Sequence, residues 1–241
     1  MNVQALQDFS DNLLLMMLSE SDRQKLAPHT MIFELDALTI LHKAGDDVVH
    51  TWFPCGPAMA SFQRWVDDDN PAVEIALIGR EGAVGGIVSN GSLPAYATAL
   101  VRNPGRFYRI KTAALEQVKT ESIALRHWFA RYSDCLMAQV FQTAACNATH
   151  TITQRTAKWL LAAAARTNSD HFELTHDQLS EMLGVGRTFV TRTIGHLRAE
   201  GIISTGRGVV TIQDEAALRK KSCNCTAAIE EHYDAVMHGI Y

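Results

Sequence analysis

The segment 175–203 constrains the fold of this chain most, because two short helical patterns meet there at a glycine-rich turn. Thr175 and Gln178 have the spacing of a capping box, which predicts the start of the first helix. Apolar residues at helical spacing continue that helix: Leu179, Met182 and Leu183. Gly184-Val185-Gly186 then supplies a tight turn where a side chain would obstruct two crossing helices. The segment therefore predicts a helix-turn-helix.

The second helix of this motif has two unlike faces. Apolar residues at helical spacing predict its buried face: Val190, Ile194 and Leu197. The opposite face carries two guanidinium groups and two hydroxyls: Arg187, Thr188, Thr191 and Arg192. These groups suit guanine edges and phosphate oxygens. The pattern predicts DNA recognition before any catalytic question arises.

A predicted β-hairpin follows the second helix, which ends at Gly201. Its two short strands, 202–203 and 209–212, flank Gly206-Arg207-Gly208. Directly after a helix-turn-helix, such a hairpin is a wing whose tip meets the sugar-phosphate backbone of DNA. Arg207 is therefore a predicted backbone contact.

The charge distribution agrees with this interpretation although the net charge of the chain is −4. Residues 1–149 hold 12 basic against 16 acidic side chains, whereas residues 150–241 hold ten of each. Residues 184–212 contain four arginines and one acid, Glu200. DNA binding requires a local basic patch of this kind. The patch is modest, which favours two copies of the chain acting together.

Composition excludes several other classes of protein. No uncharged apolar run approaches the roughly 20 residues that span a bilayer. The short apolar run Leu13–Leu18 lacks the basic start of a secretory signal, so we expect a cytoplasmic protein without a membrane partner. The odd number of scattered cysteines predicts reduced thiols: Cys55, Cys135, Cys146, Cys223 and Cys225.

The pattern changes twice along the chain before the helix-turn-helix. A helical start (1–30) gives way to short apolar runs cut by turns between residues 31 and 110, which predicts a small antiparallel sandwich or roll. Asp67–Asp69 is a predicted solvated hairpin tip. We divide the chain into a β-roll sensor-like domain (1–120), a dimerisation helix (121–149), a winged helix-turn-helix (150–216) and a C-terminal helical extension (217–241). The predicted class is α+β.

One long helical stripe precedes the DNA-binding region. It consists of Phe129, Tyr132, Leu136, Val140, Thr143 and Asn147. The stripe is consistent with a helix that packs on its own domain. It is also consistent with a dimer seam in which Thr143 and Asn147 set the register, and the second interpretation is preferred.

This order of elements, together with residues 175–203 and the weaker motif Gly79-Arg80-Glu81-Gly82-x-x-Gly85, resembles the cyclic-AMP receptor protein / fumarate-nitrate reduction regulator (Crp/Fnr) superfamily. The resemblance implies a homodimeric transcription regulator that reads a palindromic operator and contacts RNA polymerase. It places guanine and phosphate contacts on Arg187 and Arg192. Thr188 stands where well-known members have Glu, so a different half-site is expected. Phe189 would contact a thymine methyl or pack against the wing.

The resemblance weakens in the ligand-binding cassette. Cyclic-nucleotide members carry a Glu and an Arg there, whereas Gly85–Leu100 contains no charged residue. An anionic phosphate is costly to bury without a cation, so we expect no cyclic nucleotide. The iron–sulfur branch requires cysteines near the N-terminus, and the first here is Cys55, so no cluster is expected either. A small uncharged effector, or none, is left open.

The sequence does not favour a metal site, an enzyme or a protein-docking module. Cys223 and Cys225, followed by His232 and His238, have a one-residue spacing that is poor for zinc, so we expect no metal and a helical tail that packs on the winged domain.

No catalytic motif occurs, so an enzyme is not predicted. The alternative function is a protein-docking module whose roll and winged helix bind another protein, and the exposed arginines count against it.

Overall fold

The computed structural model describes residues 9–65, 72–88 and 91–238, so the hairpin tip predicted at Asp67–Asp69 lies outside the described residues. Two short helices open the described chain, α1 (Leu13–Met16) and α2 (Glu20–Leu26). Asn12 caps α1 by accepting from the Leu15 N–H, and its side-chain amide also donates to Pro54 O at 2.8 Å. The N-terminal segment is thereby fixed to the strands that follow.

Antiparallel strands form the roll that the sequence predicts. They are β1 (Thr30–Leu35), β2 (Ile40–His42), β3 (His50–Pro54), β4 (Met59–Arg64), β5 (Val73–Ile78), β6 (Thr98–Asn103) and β7 (Gly105–Lys111). One sheet has the order β1-β7-β3 and the other β2-β6-β4-β5. Inward-facing residues such as Phe107, Val101 and Ala60 fill the space between the sheets, as alternation along a strand requires.

Two helices follow the roll, α3 (Thr112–Glu121) and the long α4 (Ile123–Thr149). Ser122 separates them, and its hydroxyl accepts from the Leu125 N–H as the N-cap of α4. The first turns of α4 contribute Leu125, Trp128 and Phe129 to a core shared with α1 and the roll. The Trp128 indole N–H donates to Leu14 O at 2.9 Å, which joins α4 to α1.

The winged domain consists of α5 (Ile152–Thr167), β8 (His171–Glu173), α6 (His176–Leu183), α7 (Arg187–Ala199), β9 (Ile203–Gly206) and β10 (Val209–Ile212). Its sheet has the order β8-β10-β9. The sequence pattern does not predict the strand β8. It contributes Phe172 to the domain core, against Trp159 of α5.

The C-terminal extension contains α8 (Glu215–Lys221) and α9 (Cys225–Met237). Leu218 of α8 belongs to the winged-domain core, as expected. The expectation is wrong for α9, which packs along α4 and reaches the roll. Tyr233 donates to Glu81 O at 2.9 Å, and Met237 is buried in the core of α1 and α4. None of the described helices is both long and apolar enough to cross a membrane.

The roll and the winged domain share an apolar junction. Met59 and Leu77 of the roll are part of the winged-domain core. Gly184 ends α6 in the left-handed conformation, with φ 61°, and a Cβ there would lie 3.1 Å from the Val73 side chain. Glycine at this position therefore serves both the tight turn and the close contact with β5.

Candidate nucleic-acid interface

The local signals read from the sequence position the helix-turn-helix. Thr175 N donates to Gln178 Oε1 at 2.8 Å, and Gln178 N donates to Thr175 Oγ1 at 3.2 Å, which completes the capping box. At the other end of α6, buried Arg155 of α5 donates to Leu183 O. Helix α6 is therefore held at both ends, so it offers α7 a rigid support.

The apolar face of α7 is buried as predicted. Val190, Ile194 and Leu197 are almost fully inaccessible and pack in the core that includes Leu179 and Leu183 of α6. Full burial of each such side chain stabilises the fold by about 1.5–3 kcal/mol. This packing fixes which face of α7 points outward.

The predicted DNA-contacting side chains lie together on the exposed face of α7: Arg187, Thr188, Phe189, Thr191 and Arg192. The first residue of the helix follows Gly186, an N-cap with no side chain to occupy the first-turn N–H groups. Those groups and the helix dipole favour a bound anion such as phosphate.

Two neighbours of this face were missed by the sequence analysis. Arg187 is 3.1 Å from the Asp177 carboxylate, and both side chains are exposed, so a phosphate would readily replace this weak ion pair. His176 Nδ1 is 3.0 Å from Thr191 Oγ1. Both partners come from the first turn of α6. The tripeptide Thr-His-Asp at 175–177 was the signal in the sequence that could have identified them.

Phe189 is 52% exposed. Its ring lies near Gly186, whose Cβ position would be 3.7 Å from Phe189 Cδ2. Of the two roles left open for this residue, contact with a thymine methyl is the one its exposure favours.

The wing is a hairpin in which Gly206 and Val209 are paired and Arg207-Gly208 form the turn. Gly208 has φ 71°, which explains the need for glycine at this position. Arg207 is exposed at the tip. Gly208 O accepts from Leu174 N at 2.9 Å, so the turn is tied to the strand that leads into α6.

The predicted dimer stripe on α4 requires a correction at two positions. Phe129 and Tyr132 are buried in the core of their own protomer, so they have no free surface for a partner. The Tyr132 hydroxyl accepts from Ala83 N at 3.0 Å and donates to Ala83 O at 3.2 Å. Burial raises the pKa of this phenol, which stays neutral. The interpretation that was not preferred, packing on the same domain, is correct here.

The remaining residues of that stripe face other parts of the same chain. Leu136 and Val140 line a cavity in the roll, and Thr143 and Asn147 line a groove beside Trp159. The side of α4 that faces away is a second stripe with spacings of four and three, here called the outer stripe. It comprises Ile123, His127, Ala130, Asp134, Met137, Phe141, Ala144 and Ala148.

The cavity between the roll and α4 has a volume of about 420 Å³. Its lining is mostly apolar and includes Phe62, Ile75 and Leu93. His42 and Tyr96 are the ionisable side chains among the described lining residues, and burial, partly opposed by Asp46, lowers the pKa of His42. At neutral pH the described lining therefore offers one neutral imidazole and no charge.

A separate cluster of possible metal ligands lies where α4 meets α5. Cys223 and Cys225 lie beside Cys146 and His150, and not beside His232 and His238 as considered from the sequence. Burial opposes ionisation of Cys225, but hydrogen bonds from Gln142 and the neighbouring thiols outweigh it and lower the pKa of that thiol. The signal in the sequence was the i, i+4 pair Cys146 and His150 on one helical face.

Comparison with known proteins supports the assignment of the C-terminal domain as a helix-turn-helix. Residues 154–221 match the Crp-like helix-turn-helix domain. No curated protein matches the chain.

Several solved structures share the fold of nearly the whole chain. A Crp/Fnr-family regulator from Eubacterium rectale is 16% identical, with 87% of this chain and 97% of that one covered and a TM-score of 0.64. FixK2 from Bradyrhizobium japonicum is 13% identical, with 80% and 98% covered and a TM-score of 0.66. A CRP-family regulator from Thermus thermophilus is 19% identical, with 79% and 96% covered and a TM-score of 0.66. The chain thus carries a Crp-like helix-turn-helix domain within the fold of the Crp/Fnr-type transcription regulators.

Proposed function

We propose that this protein is a homodimeric, sequence-specific transcription regulator that reads a palindromic operator. The observation that carries the proposal is the exposed face of α7, where Arg187 and Arg192 project from a helix whose opposite face is buried. Arginine pairs with guanine O6 and N7 or with phosphate. Arg207 would hold the backbone from the wing. The protein would work in the cytoplasm and contact RNA polymerase.

The outer stripe of α4 supports a dimer. Ile123, Met137 and Phe141 are large apolar residues that remain exposed in the protomer. The stripe ends in two small residues, Ala144 and Ala148, where two such helices can approach closely. Spacings of four and three are those of a coiled-coil seam. Two α4 helices paired along this stripe would position the α7 helices of the two copies to enter successive major grooves of DNA.

The cavity in the roll supports a neutral effector. Its described lining contains no cation to compensate a cyclic phosphate, and such a phosphate is costly to bury alone. Leu136 and Val140 of α4 form part of the wall, so a ligand there would contact the helix that carries the outer stripe. Titration calorimetry with cyclic AMP should give no binding heat, and saturable binding would contradict this assignment.

The protein-docking alternative is less well supported. The polar face of α7 and the wing tip carry exposed arginines, whereas the cores of protein interfaces are depleted in charge. The basic face is suited to a polyanion.

Selection of genomic DNA fragments by the purified protein at near-physiological salt tests the proposal. We expect an enriched palindrome with half-sites about 10 base pairs apart or a multiple of that spacing. The double variant Arg187→Ala/Arg192→Ala is the control and should enrich no palindrome. A folded, dimeric wild-type protein that selects no sequence would favour the docking alternative.

A further inference from the structure

The strongest unassigned feature is the cluster Cys146, His150, Cys223 and Cys225, here called the thiol cluster. Cys146 and His150 lie one turn apart at the end of α4. Cys223 lies between α8 and α9, and Cys225 is the first residue of α9. The four possible ligand atoms, three Sγ and one ring nitrogen, lie within 4.8 Å of one another, although the chain separates the two pairs by more than 70 residues.

The distances within the thiol cluster suit one tetrahedral ion. Zinc binds sulfur at about 2.3 Å and imidazole nitrogen at about 2.0 Å, which places two sulfurs about 3.8 Å apart and sulfur and nitrogen about 3.5 Å apart. Cys146 Sγ is 3.8 Å from Cys223 Sγ, and Cys225 Sγ is 3.5 Å from His150 Nδ1. A multi-iron cluster would have to fill the space between its ligands, and atoms this close leave room for a single ion.

The surroundings of the thiol cluster also fit. The three cysteines are buried and form an apolar cluster of their own, whereas His150 is half-buried and gives access from solvent. Three thiolates around Zn²⁺ leave one net negative charge. Lys158 Nζ lies 3.5 Å from Cys146 Sγ and offsets that charge, and Gln142 Nε2 donates to Cys225 Sγ at 3.1 Å. Partners of this kind orient and stabilise metal ligands.

We propose that the thiol cluster binds one zinc ion through three cysteine sulfurs and His150 Nδ1. Binding releases the three thiol protons to solvent and involves no change of oxidation state. The soft sulfur ligands and the geometry select zinc over magnesium or calcium.

The proposed ion would connect the end of α4 and the α4–α5 connection at His150 to the α8–α9 connection at Cys223 and the start of α9. It would hold α9 against α4 and fix the direction in which α5 leaves α4. Because α5 leads into the helix-turn-helix, the ion would also affect DNA binding. That consequence rests on the function proposed above. Metal binding itself does not depend on that function.

The first test measures the metal content of the reduced, untagged protein purified from zinc-supplemented medium. We expect one zinc per chain by mass spectrometry of the metal. Replacement of zinc by Co²⁺ should give the visible bands of tetrahedral cobalt and a thiolate charge-transfer band. A folded protein that retains no zinc and shows no cobalt bands would overturn the proposal, as would a Cys146–Cys223 disulfide under these reducing conditions.

Variants separate a metal site from a structural role of the same residues. Cys146→Ser and the double variant Cys223→Ser/Cys225→Ser should lose zinc, whereas Cys135→Ser, the same change elsewhere on α4, should retain it. Gln142→Ala leaves all four ligands in place and should weaken zinc binding about 10–100-fold. Circular dichroism checks that each variant is folded. Equal zinc content in the double variant and the Cys135→Ser control would contradict the assignment.

Operator affinity with and without zinc then tests the coupling. We expect at least a tenfold weaker affinity after chelation, restored by added zinc. If zinc binds but no operator exists, the function proposed above fails and the metal site stands. Unchanged operator affinity after complete removal of zinc would refute the coupling alone.

Discussion

Helices α4 and α7 both carry apolar residues at helical spacing, yet the partner of that apolar face was predicted correctly for only one of them. In α7 a single apolar face is buried and a single polar face is exposed. In α4 apolar residues occupy two sides of the helix. Phe129 and Tyr132 face the protomer's own roll, whereas Met137 and Phe141 remain exposed.

The difference shows what helical periodicity determines. Periodicity identifies residues that share a face, but it does not say which surface covers that face. With one apolar face the answer is the domain core, as in α7. With two apolar faces, as in α4, periodicity alone does not say which face the same chain covers; here it covers the face with Phe129 and Tyr132. The exposed stripe is the surface that the proposed dimer would bury.

The largest effect is expected from a substitution on the inner face of α4, which packs against the roll. Phe129→Ala removes a fully buried ring from the protomer core and should lower the free energy of unfolding by about 3–5 kcal/mol. Urea unfolding monitored by circular dichroism measures it. A change below about 1 kcal/mol would show that Phe129 is not a core residue.

The outer face should respond differently. Phe141 is 67% exposed, so Phe141→Glu should leave the protomer folded but place a like charge in each half of the proposed seam. We expect dimerisation to weaken by about 2–4 kcal/mol, as measured by sedimentation equilibrium. Glu121→Gln, an exposed change just before α4, serves as the control. An unaltered dimer in Phe141→Glu would mean that the seam lies elsewhere.

The exposed face of α7 allows a matched pair of arginine variants. Arg187→Ala should weaken operator binding by about 1–3 kcal/mol and relax specificity at one base pair. Arg219 is the control, because it is also an exposed arginine in an exposed ion pair, here with Glu215, and Arg219→Ala should change affinity little. Fluorescence anisotropy on operator and random DNA measures both. Equal losses on the two DNAs would remove Arg187 from base recognition.

The smallest effect is expected at Asn147, which the sequence analysis assigned to the dimer register. It lines a groove within the protomer and not the outer stripe. Asn147→Ala should therefore change both dimerisation and unfolding by less than about 0.5 kcal/mol. A dimer of altered size or register would restore the original interpretation.

Features that depend on local contacts could be predicted from the sequence. Features that depend on contacts between distant segments could not. The capping box at Thr175, the turn at Gly184 and the wing at Arg207 are encoded within a few residues, so they were predicted. Strand β5 (Val73–Ile78) is one of the short apolar runs expected between residues 31 and 110, for the same reason. The pairing of β7 with both β1 and β3 depends on contacts between distant segments, which composition and periodicity do not specify.

The thiol cluster is the clearest example of a distant contact. From the sequence, Cys223 and Cys225 were grouped with His232 and His238 as possible metal ligands, because those histidines are close to them along the chain. The return of α9 along α4 brings Cys146 and His150 to them instead. Only the tertiary arrangement of the two helices makes this combination visible.

The junction between the roll and the winged domain contains an indole group in a distinctive position. The Trp159 N–H of α5 donates to the Glu74 carboxylate of β5 at 2.9 Å, and Glu74 is also 3.3 Å from Arg102. All three side chains are largely buried. Any rotation that separates the two domains would expose this indole to water and shift its fluorescence to longer wavelength. Trp159, one of four tryptophans in the chain, is thus an intrinsic optical reporter of domain opening, read as a change in their summed emission without a label.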